Sequence, residues 1–202
     1  MSTTSKTASK TSRMTATITI GDYVRTEQRI PADCKPLRRA LEYVATMEGT
    51  TLEALGAMPV SEMDPKLQAA YAFLGNIPNW DSWQDSIRIG DTLYWLDLKP
   101  ETMTVAQWLD IETICEEPNH TSRIIPMLAI CLTTDPSLPY SSSRLHQADA
   151  VAQMPAQTAI SLAAFFLGQW QECAEDMLHY IAGLAQEAVA TSGQATIQLH
   201  TP

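Results

Sequence analysis

The C-terminal part of the chain constrains the fold most, because it contains no cation. From Leu145 to Pro202 there is no Lys and no Arg. Most of this stretch predicts one long apolar helix, from about residue 155 to about residue 190. A surface helix of a monomeric protein usually has charges of both signs on its solvent face. We therefore expect this helix to be buried, either in the core of the chain or against a partner protein.

The charge of the chain is distributed unevenly. Residues 1–13 contain three cations and no acid, and the remaining chain contains 10 basic and 23 acidic residues. A body this acidic repels phosphate backbones, so we expect no nucleic-acid partner. Residues 1–13 are rich in Ser and Thr and have no hydrophobic period, which predicts a disordered basic leader rather than a nucleic-acid-binding arm.

The sequence predicts a cytosolic protein without a membrane span. No apolar run follows the basic residues 1–13, as a signal peptide would require, and the longest apolar run, 162–167, is far below the roughly 20 residues of a membrane helix. The cysteines are scattered singly, which is typical of buried free thiols rather than of a zinc site. They are Cys34, Cys115, Cys131 and Cys173.

Residues before 100 predict short strands and helices. β-branched and polar residues alternate over 15–20, which predicts a strand, and residues 23–30 fit a second strand or a short helix, of which we favour the strand. Gly90-Asp91 lies between two alternating runs and predicts a β-hairpin near 86–96, which could pair with the strand at 15–20.

Helices are predicted from capping residues and periodicity at several further places. They cover 37–47 (ending at Gly49), 51–55 (capped by Thr50 or Thr51), 64–74 (opened by Asp64-Pro65), 105–115 (capped by Thr104), 123–132 (capped by Thr121 or Ser122), a segment capped at 141–143, and the last helix from Pro155.

The fold class predicted from these elements is α+β, predominantly α-helical, with a small N-terminal strand/hairpin element and a C-terminal helical bundle. We divide the chain into a leader at 1–13, a small α+β region at 14–100, the helical bundle at 101–191 and a flexible tail at 192–202.

The last helix contains the strongest candidate contact residues. Its predicted apolar stripe includes Ile160, Ala164, Leu167 and Trp170. Phe165 and Phe166 point about 100° apart on a helix and cannot both face one neighbour. The helix is therefore either central to a bundle or uses one of the two rings to bind a partner or a second copy of the chain.

Trp80 and Trp83 form a second aromatic feature, which either packs the joint before the hairpin or forms an exposed binding shelf. Together with the aromatic residues of the last helix, these are the predicted partner-binding residues: Phe165, Phe166, Trp170, Trp80 and Trp83.

No motif in the sequence indicates catalysis, so we predict no catalytic residue, no metal and no cofactor. G-x-G-x-x-G, P-loop, G-x-S-x-G and H-E-x-x-H patterns are absent from the sequence. Asp176 and His179 have the spacing of a metal pair, but a dimetal helical bundle needs a second such pair. Cys115 and His120 are five residues apart, but nothing specifies a nucleophile there.

Acidic residues are concentrated between residues 97 and 117, where Lys99 is the one cation. This zone predicts a solvated face or a docking site for a basic partner. Its members are Asp97, Glu101, Asp110, Glu112, Glu116 and Glu117.

Several segments resemble a family of tailed-bacteriophage proteins. They are residues 87–98 (IRIGDTLYWLDL) leading into 103–112 (MTVAQWLDIE), then 154–159 (MPAQTA) and 165–167 (FFL). In this order they are similar to small proteins encoded among phage tail and head genes, some of which are tail assembly chaperones. The similar portion covers roughly residues 85–170, and Ala106 stands where the family often has Gly.

The resemblance implies a non-enzymatic role. Such chaperones bind the long, helix-rich tape-measure protein and keep its apolar surface from aggregating until the tail tube forms, which would place the chain in the host cytoplasm. One alternative is a structural protein of the virion, at the connector or tail. Another is a small enzyme with a dispersed acidic site, which would require a pocket that gathers Asp97, Asp110 and His120.

Overall fold

The computed structural model describes residues 17–75, 85–97, 103–168 and 170. The chain is mostly helical, with a small three-stranded antiparallel sheet formed by residues from the middle of the sequence. The predicted class, α+β and predominantly helical, is therefore confirmed. No helix among these residues is long and apolar enough to cross a membrane.

The described elements follow in chain order. Before the sheet come α1 (Ile20–Arg29), α2 (Pro36–Glu48), α3 (Leu52–Gly56) and α4 (Val60–Gly75). The hairpin strands are β1 (Ser86–Ile89) and β2 (Thr92–Leu96), followed by α5 (Val105–Cys115), α6 (His120–Cys131) and β3 (Leu132–Thr133). The last elements are a 3-10 helix (Ser142–Gln147), α7 (Ala148–Val151) and α8, whose described part covers 156–168.

The strands predicted at 15–20 and 23–30 are wrong, because a helix begins at Ile20. Thr19 and Asp22 form a capping box, in which the Thr19 hydroxyl accepts from the Asp22 amide at 3.1 Å and Asp22 Oδ2 accepts from the Thr19 amide at 3.3 Å. This reciprocal pair satisfies free backbone groups at the helix start. The extended residues before it make an isolated bridge, Thr19 with Pro155, and residues 15 and 16 lie outside the described part.

The predicted helix at 37–47 is confirmed. Pro36 occupies its first turn, and Gly49 ends it in the left-handed conformation with φ +61°. The short helix capped by Thr51 is also confirmed. The helix predicted to open at Asp64-Pro65 instead starts at Val60, where the Pro59 carbonyl accepts from the amides of the first turn. Pro65 is tolerated inside it at the loss of one backbone hydrogen bond.

The hairpin is confirmed, with Ile89 opposite Thr92 and Gly90 at φ +57° in the turn. Its predicted partner strand is wrong: β2 pairs with β3, with Leu96 opposite Leu132. β3 continues directly from α6, so the third strand of the sheet comes from the end of a buried helix and not from the N-terminal residues.

The helix α6 provides much of the core. It begins three residues earlier than predicted, with Asn119 as its cap, and residues 127–132 are fully buried. The described part of α8 packs through Ala156, Ala159, Leu162, Ala163 and Phe166, all buried. The predicted apolar stripe of this helix has the wrong phase, because Ala164 and Leu167 are exposed.

Candidate protein-binding surface

The structure separates the predicted contact residues of the last helix. Phe166 is fully buried in the core, so its prediction as a contact residue is corrected: its ring already packs within the fold. Phe165 and Trp170 are partly buried against the core. Trp80 and Trp83 lie outside the described residues, as do Asp176 and His179.

Trp170 contacts Trp108, which is on α5. The ring centroids are 5.3 Å apart and the planes are tilted by 38°, a geometry that aromatic pairs favour. Within the described residues, the buried Trp170 Nε1 has no hydrogen-bond partner. The contact brings α5 alongside the last described turn of α8.

Exposed apolar side chains lie within one helical turn of each tryptophan, on α5 and on α8. On α5, Val105 is 78% exposed and Leu109 is 53% exposed, and they lie one turn apart on the same face. On α8, Leu167 is 36% exposed and lies three residues before Trp170. We name these residues, with the two tryptophans, the α5–α8 surface. Exposed apolar residues on two helices that meet in an aromatic contact make this surface a candidate protein interface.

The same face of α5 becomes acidic towards its C-terminus. Glu112 and Glu116 follow Val105 and Leu109 at helical spacing, and both are exposed, as is Glu117. The sequence from 100 to 122 contains no Lys or Arg, and Arg123 donates to the main-chain carbonyl of Glu117 at 2.5 Å. The surface is therefore apolar at one end and negative at the other.

Asp97, by contrast, has a structural partner. Its carboxylate accepts a 2.8 Å bond from Arg144, which is 7% exposed. Arg144 also donates to the Ile130 carbonyl at 3.3 Å, and its guanidinium lies 5.2 Å from the centre of the Tyr140 ring. This arrangement fixes the 3-10 helix against the end of β2 and the end of α6.

Asp110 is held in a similar way. It accepts hydrogen bonds from the hydroxyl groups of Tyr140, at 2.5 Å, and Ser142, at 2.8 Å. Burial and the bond to Asp110 raise the pKa of Tyr140 well above its usual value. His120 begins α6, about 15 Å along the helix axis from the turn that contacts Arg144. An acidic catalytic site would require Asp97, Asp110 and His120 to lie together. The fold does not bring His120 to Asp97.

The described residues give no support to a thiol nucleophile at Cys115, and the spacing of Asp176 and His179 falls outside them. Burial raises the pKa of Cys115, whereas a nucleophilic cysteine needs a lowered one. No group of three His, Cys, Asp or Glu side chains in the described part could hold a metal ion.

Sequence reasoning missed Trp108, Val105 and Leu109 as surface residues. The signal was present, because Val105 and Leu109 have i, i+4 spacing, but periodicity alone does not say which face of α5 the fold covers. Searches against protein-family models, curated proteins and solved structures find no match to this chain.

Proposed function

We propose that this chain is a non-enzymatic binding protein that holds a cationic amphipathic helix of another protein on its α5–α8 surface. The observation that carries the proposal is the outward face of α5. Val105 and Leu109 are exposed there, and acidic side chains follow them within a stretch that has no cation. A helix with an apolar face and flanking Lys or Arg matches both halves of this surface.

In its specific form, the proposal is a tail assembly chaperone of a tailed bacteriophage, with the tape-measure protein as partner. The resemblance over roughly residues 85–170 supports this form, and that portion includes α5 and the described part of α8. A chaperone that binds apolar helices reversibly needs exposed apolar side chains but no catalytic site. The runner-up is a structural protein of the connector or tail.

The experiment is a tagged pull-down of the full chain from its native source, read by mass spectrometry. The wild type is compared with Leu109→Ser, and Leu138→Ser is the matched control because Leu138 is 61% exposed in the loop before the 3-10 helix. We expect the wild type and Leu138→Ser to recover one long, helix-rich tail protein that Leu109→Ser loses.

The two forms of the proposal differ in finished particles. A chaperone is absent from purified virions, whereas a connector or tail protein is present in stoichiometric amount. Recovery of the same proteins by Leu109→Ser and the wild type would contradict both the chaperone and the structural-protein form. The α5–α8 surface would then not be needed for binding.

A further inference from the structure

The acids at the end of α5 lack a counter-ion within the part of the chain that the structure describes. Glu112, Glu116 and Glu117, which we name the α5 acidic end, are exposed, and the ion pairs of the described residues engage other acids. Arg123, the next cation along the chain, donates to the main-chain carbonyl of Glu117. The C-terminus of a helix also carries a partial negative charge, so the α5 acidic end favours a cationic occupant.

The basic leader, residues 1–13, carries the complementary charge. Its charged residues are Lys6, Lys10 and Arg13, and it contains no acid. The two lysines lie in a repeated Ser-Lys-Thr and are four residues apart, which is also the spacing of Glu112 and Glu116.

The other cations of the chain are excluded as occupants of the α5 acidic end. Outside the described residues, the sequence contains one further cation besides those of the leader, Lys99. Lys99 precedes the start of α5, and the helix separates it from the α5 acidic end by about 16 Å. The leader is therefore the segment of this chain whose charge matches the α5 acidic end.

The path from the leader to the α5 acidic end is short. The described chain starts at residue 17, and α1 leads from there to α6, where Gln28 donates a 3.2 Å hydrogen bond to Ser122. Ser122 lies in the first turn of α6, directly after the loop that follows the α5 acidic end. Residues 20–28 of α1 rise by about 12 Å, whereas the extended chain from residue 17 spans about 23 Å back to Lys10 and about 36 Å back to Lys6. Both lysines therefore reach the α5 acidic end.

We propose that the leader occupies the α5 acidic end through Lys6 and Lys10 and competes there with the cationic flank of a partner helix. The competition rests on the function proposed for the α5–α8 surface, whereas the contact of the leader does not. A tethered segment acts at an effective concentration in the millimolar range, so exposed ion pairs suffice to hold it even though each is weak. The leader leaves Val105 and Leu109 open, and a partner helix gains the acidic end by displacing it.

Carbodiimide coupling of the full chain tests the contact without any partner. The reagent joins a lysine amine to a neighbouring carboxylate as an amide, and mass spectrometry of the peptides identifies both residues. We expect Lys6 and Lys10 to couple to the α5 acidic end at low salt, and the coupling to be lost at high salt. A mixture of light and isotope-labelled chains separates coupling within one chain from coupling between two. Glu53 and Glu62, which are exposed on α3 and α4, are the control carboxylates.

A titration with a labelled Lys-flanked helical peptide tests the competition. Lys6→Ser combined with Lys10→Ser should bind the peptide about threefold more tightly than the wild type, because two weak ion pairs no longer oppose it. Arg38→Ser combined with Arg88→Ser removes the same charge from exposed positions of the folded part and is the matched control. In a chain whose α5 acidic end is changed to Gln, the gain from the leader variant should disappear.

Two results would overturn the proposal. One is coupling of the leader lysines to Glu53 and Glu62 as often as to the α5 acidic end, or coupling only between two chains, which would favour a second copy as the source of the cations. The other is equal peptide affinities of the leader variant and its matched control. A peptide that binds none of these chains would instead contradict the function proposed for the surface, and the coupling would still decide whether the leader lies there.

Discussion

The hydroxyl of Tyr43 on α2 donates a hydrogen bond to the carboxylate of Glu27 on α1. The other oxygen of Glu27 accepts from Arg39 at 2.5 Å, so both carboxylate oxygens are used between the two helices. Tyr43 is fully buried, and its ring packs against those of Tyr23 and Phe73 at centroid distances of 5.9 and 5.5 Å. The pair thus joins α1 to α2 through a polar contact at the edge of an aromatic cluster.

Tyr43→Phe keeps this packing and removes the donor to Glu27. We expect a loss of about 1–3 kcal/mol in the free energy of unfolding at neutral pH, because a partly buried charge loses one of its bonds. Urea unfolding followed by circular dichroism measures it. Leu138→Ser, at an exposed position, is the control and should change the free energy by less than about 0.5 kcal/mol. A loss in Tyr43→Phe as small as that of the control would contradict the role of the bond.

The same tyrosine predicts a loss of stability at alkaline pH. Burial, followed by the bond to Glu27, raises the pKa of Tyr43 far above its usual value of 10. A folded-state pKa above the unfolded one contributes stability that is fully present below about pH 10 and is lost as the pH rises further. Between about pH 10 and 11 the free energy of unfolding of the wild type, measured by urea unfolding at each pH, should therefore fall more than that of Tyr43→Phe. Parallel falls of the two free energies would contradict this.

The pair of Asp97 and Arg144 predicts unequal losses from its two sides. Asp97→Ala leaves a guanidinium buried without its counter-ion, and we expect a cost of about 3 kcal/mol. Arg144→Met leaves a carboxylate whose side chain is 33% exposed, which water can solvate, but it also removes the bond to the Ile130 carbonyl and the contact with the Tyr140 ring. The cost should therefore be smaller than that of Asp97→Ala, at about 2 kcal/mol. Equilibrium unfolding of both variants measures the two losses. Equal losses in the free energy of unfolding would contradict the larger cost expected for a buried guanidinium without its counter-ion.

The capping box of α1 predicts a change in stability at acid pH. Burial acts to raise the pKa of Asp22, but hydrogen bonds from Thr19 and Arg25 outweigh it and lower the pKa below the usual 3.8. The stability that this lowered pKa contributes is present above the pKa of Asp22 in the unfolded chain. It is lost as the pH falls through the pKa of Asp22 in the folded chain. Asp22→Ala should cost about 1 kcal/mol at neutral pH, and the difference from wild type should shrink below about pH 4. A constant difference would contradict the assignment.

The described cysteines should react with iodoacetamide in an order set by burial. At about pH 8, Cys34 reacts first, Cys115 more slowly because burial raises its pKa, and Cys131 only on unfolding. Cys131 is fully buried, and burial followed by the nearby Asp97 raises its pKa well above the usual value. Mass spectrometry of alkylated peptides from a Cys173→Ser chain gives the order; early labelling of Cys131 would contradict the core packing.

Elements fixed by local chemistry could be predicted from the sequence. The hairpin follows from Gly90, which adopts a positive φ that other residues avoid. The start of α5 follows from Thr104, whose side chain accepts from the Gln107 amide at 3.2 Å. The start of α1 could also have been found, because Thr19 and Asp22 have capping-box spacing, but the alternation at 15–20 favoured a strand.

Features fixed by tertiary packing could not be predicted in this way. The strand β3 is two residues long and exists through its pairing with β2. In α8, small residues such as Ala159 and Ala163 face the core, which rotates Leu167 outwards, whereas hydrophobicity alone placed Leu167 inside. The α5–α8 surface depends on the contact of Trp108 with Trp170, and no pattern in the sequence joins residues so far apart.

The central claim is that the α5–α8 surface binds a cationic amphipathic helix. The most direct test is a titration of a labelled Lys-flanked helical peptide with the full chain. The account predicts saturable binding that weakens with added salt, falls about tenfold in Leu109→Ser and is unchanged in Leu138→Ser. Equal affinities of the Leu109→Ser and Leu138→Ser chains, or no binding at all, would contradict it.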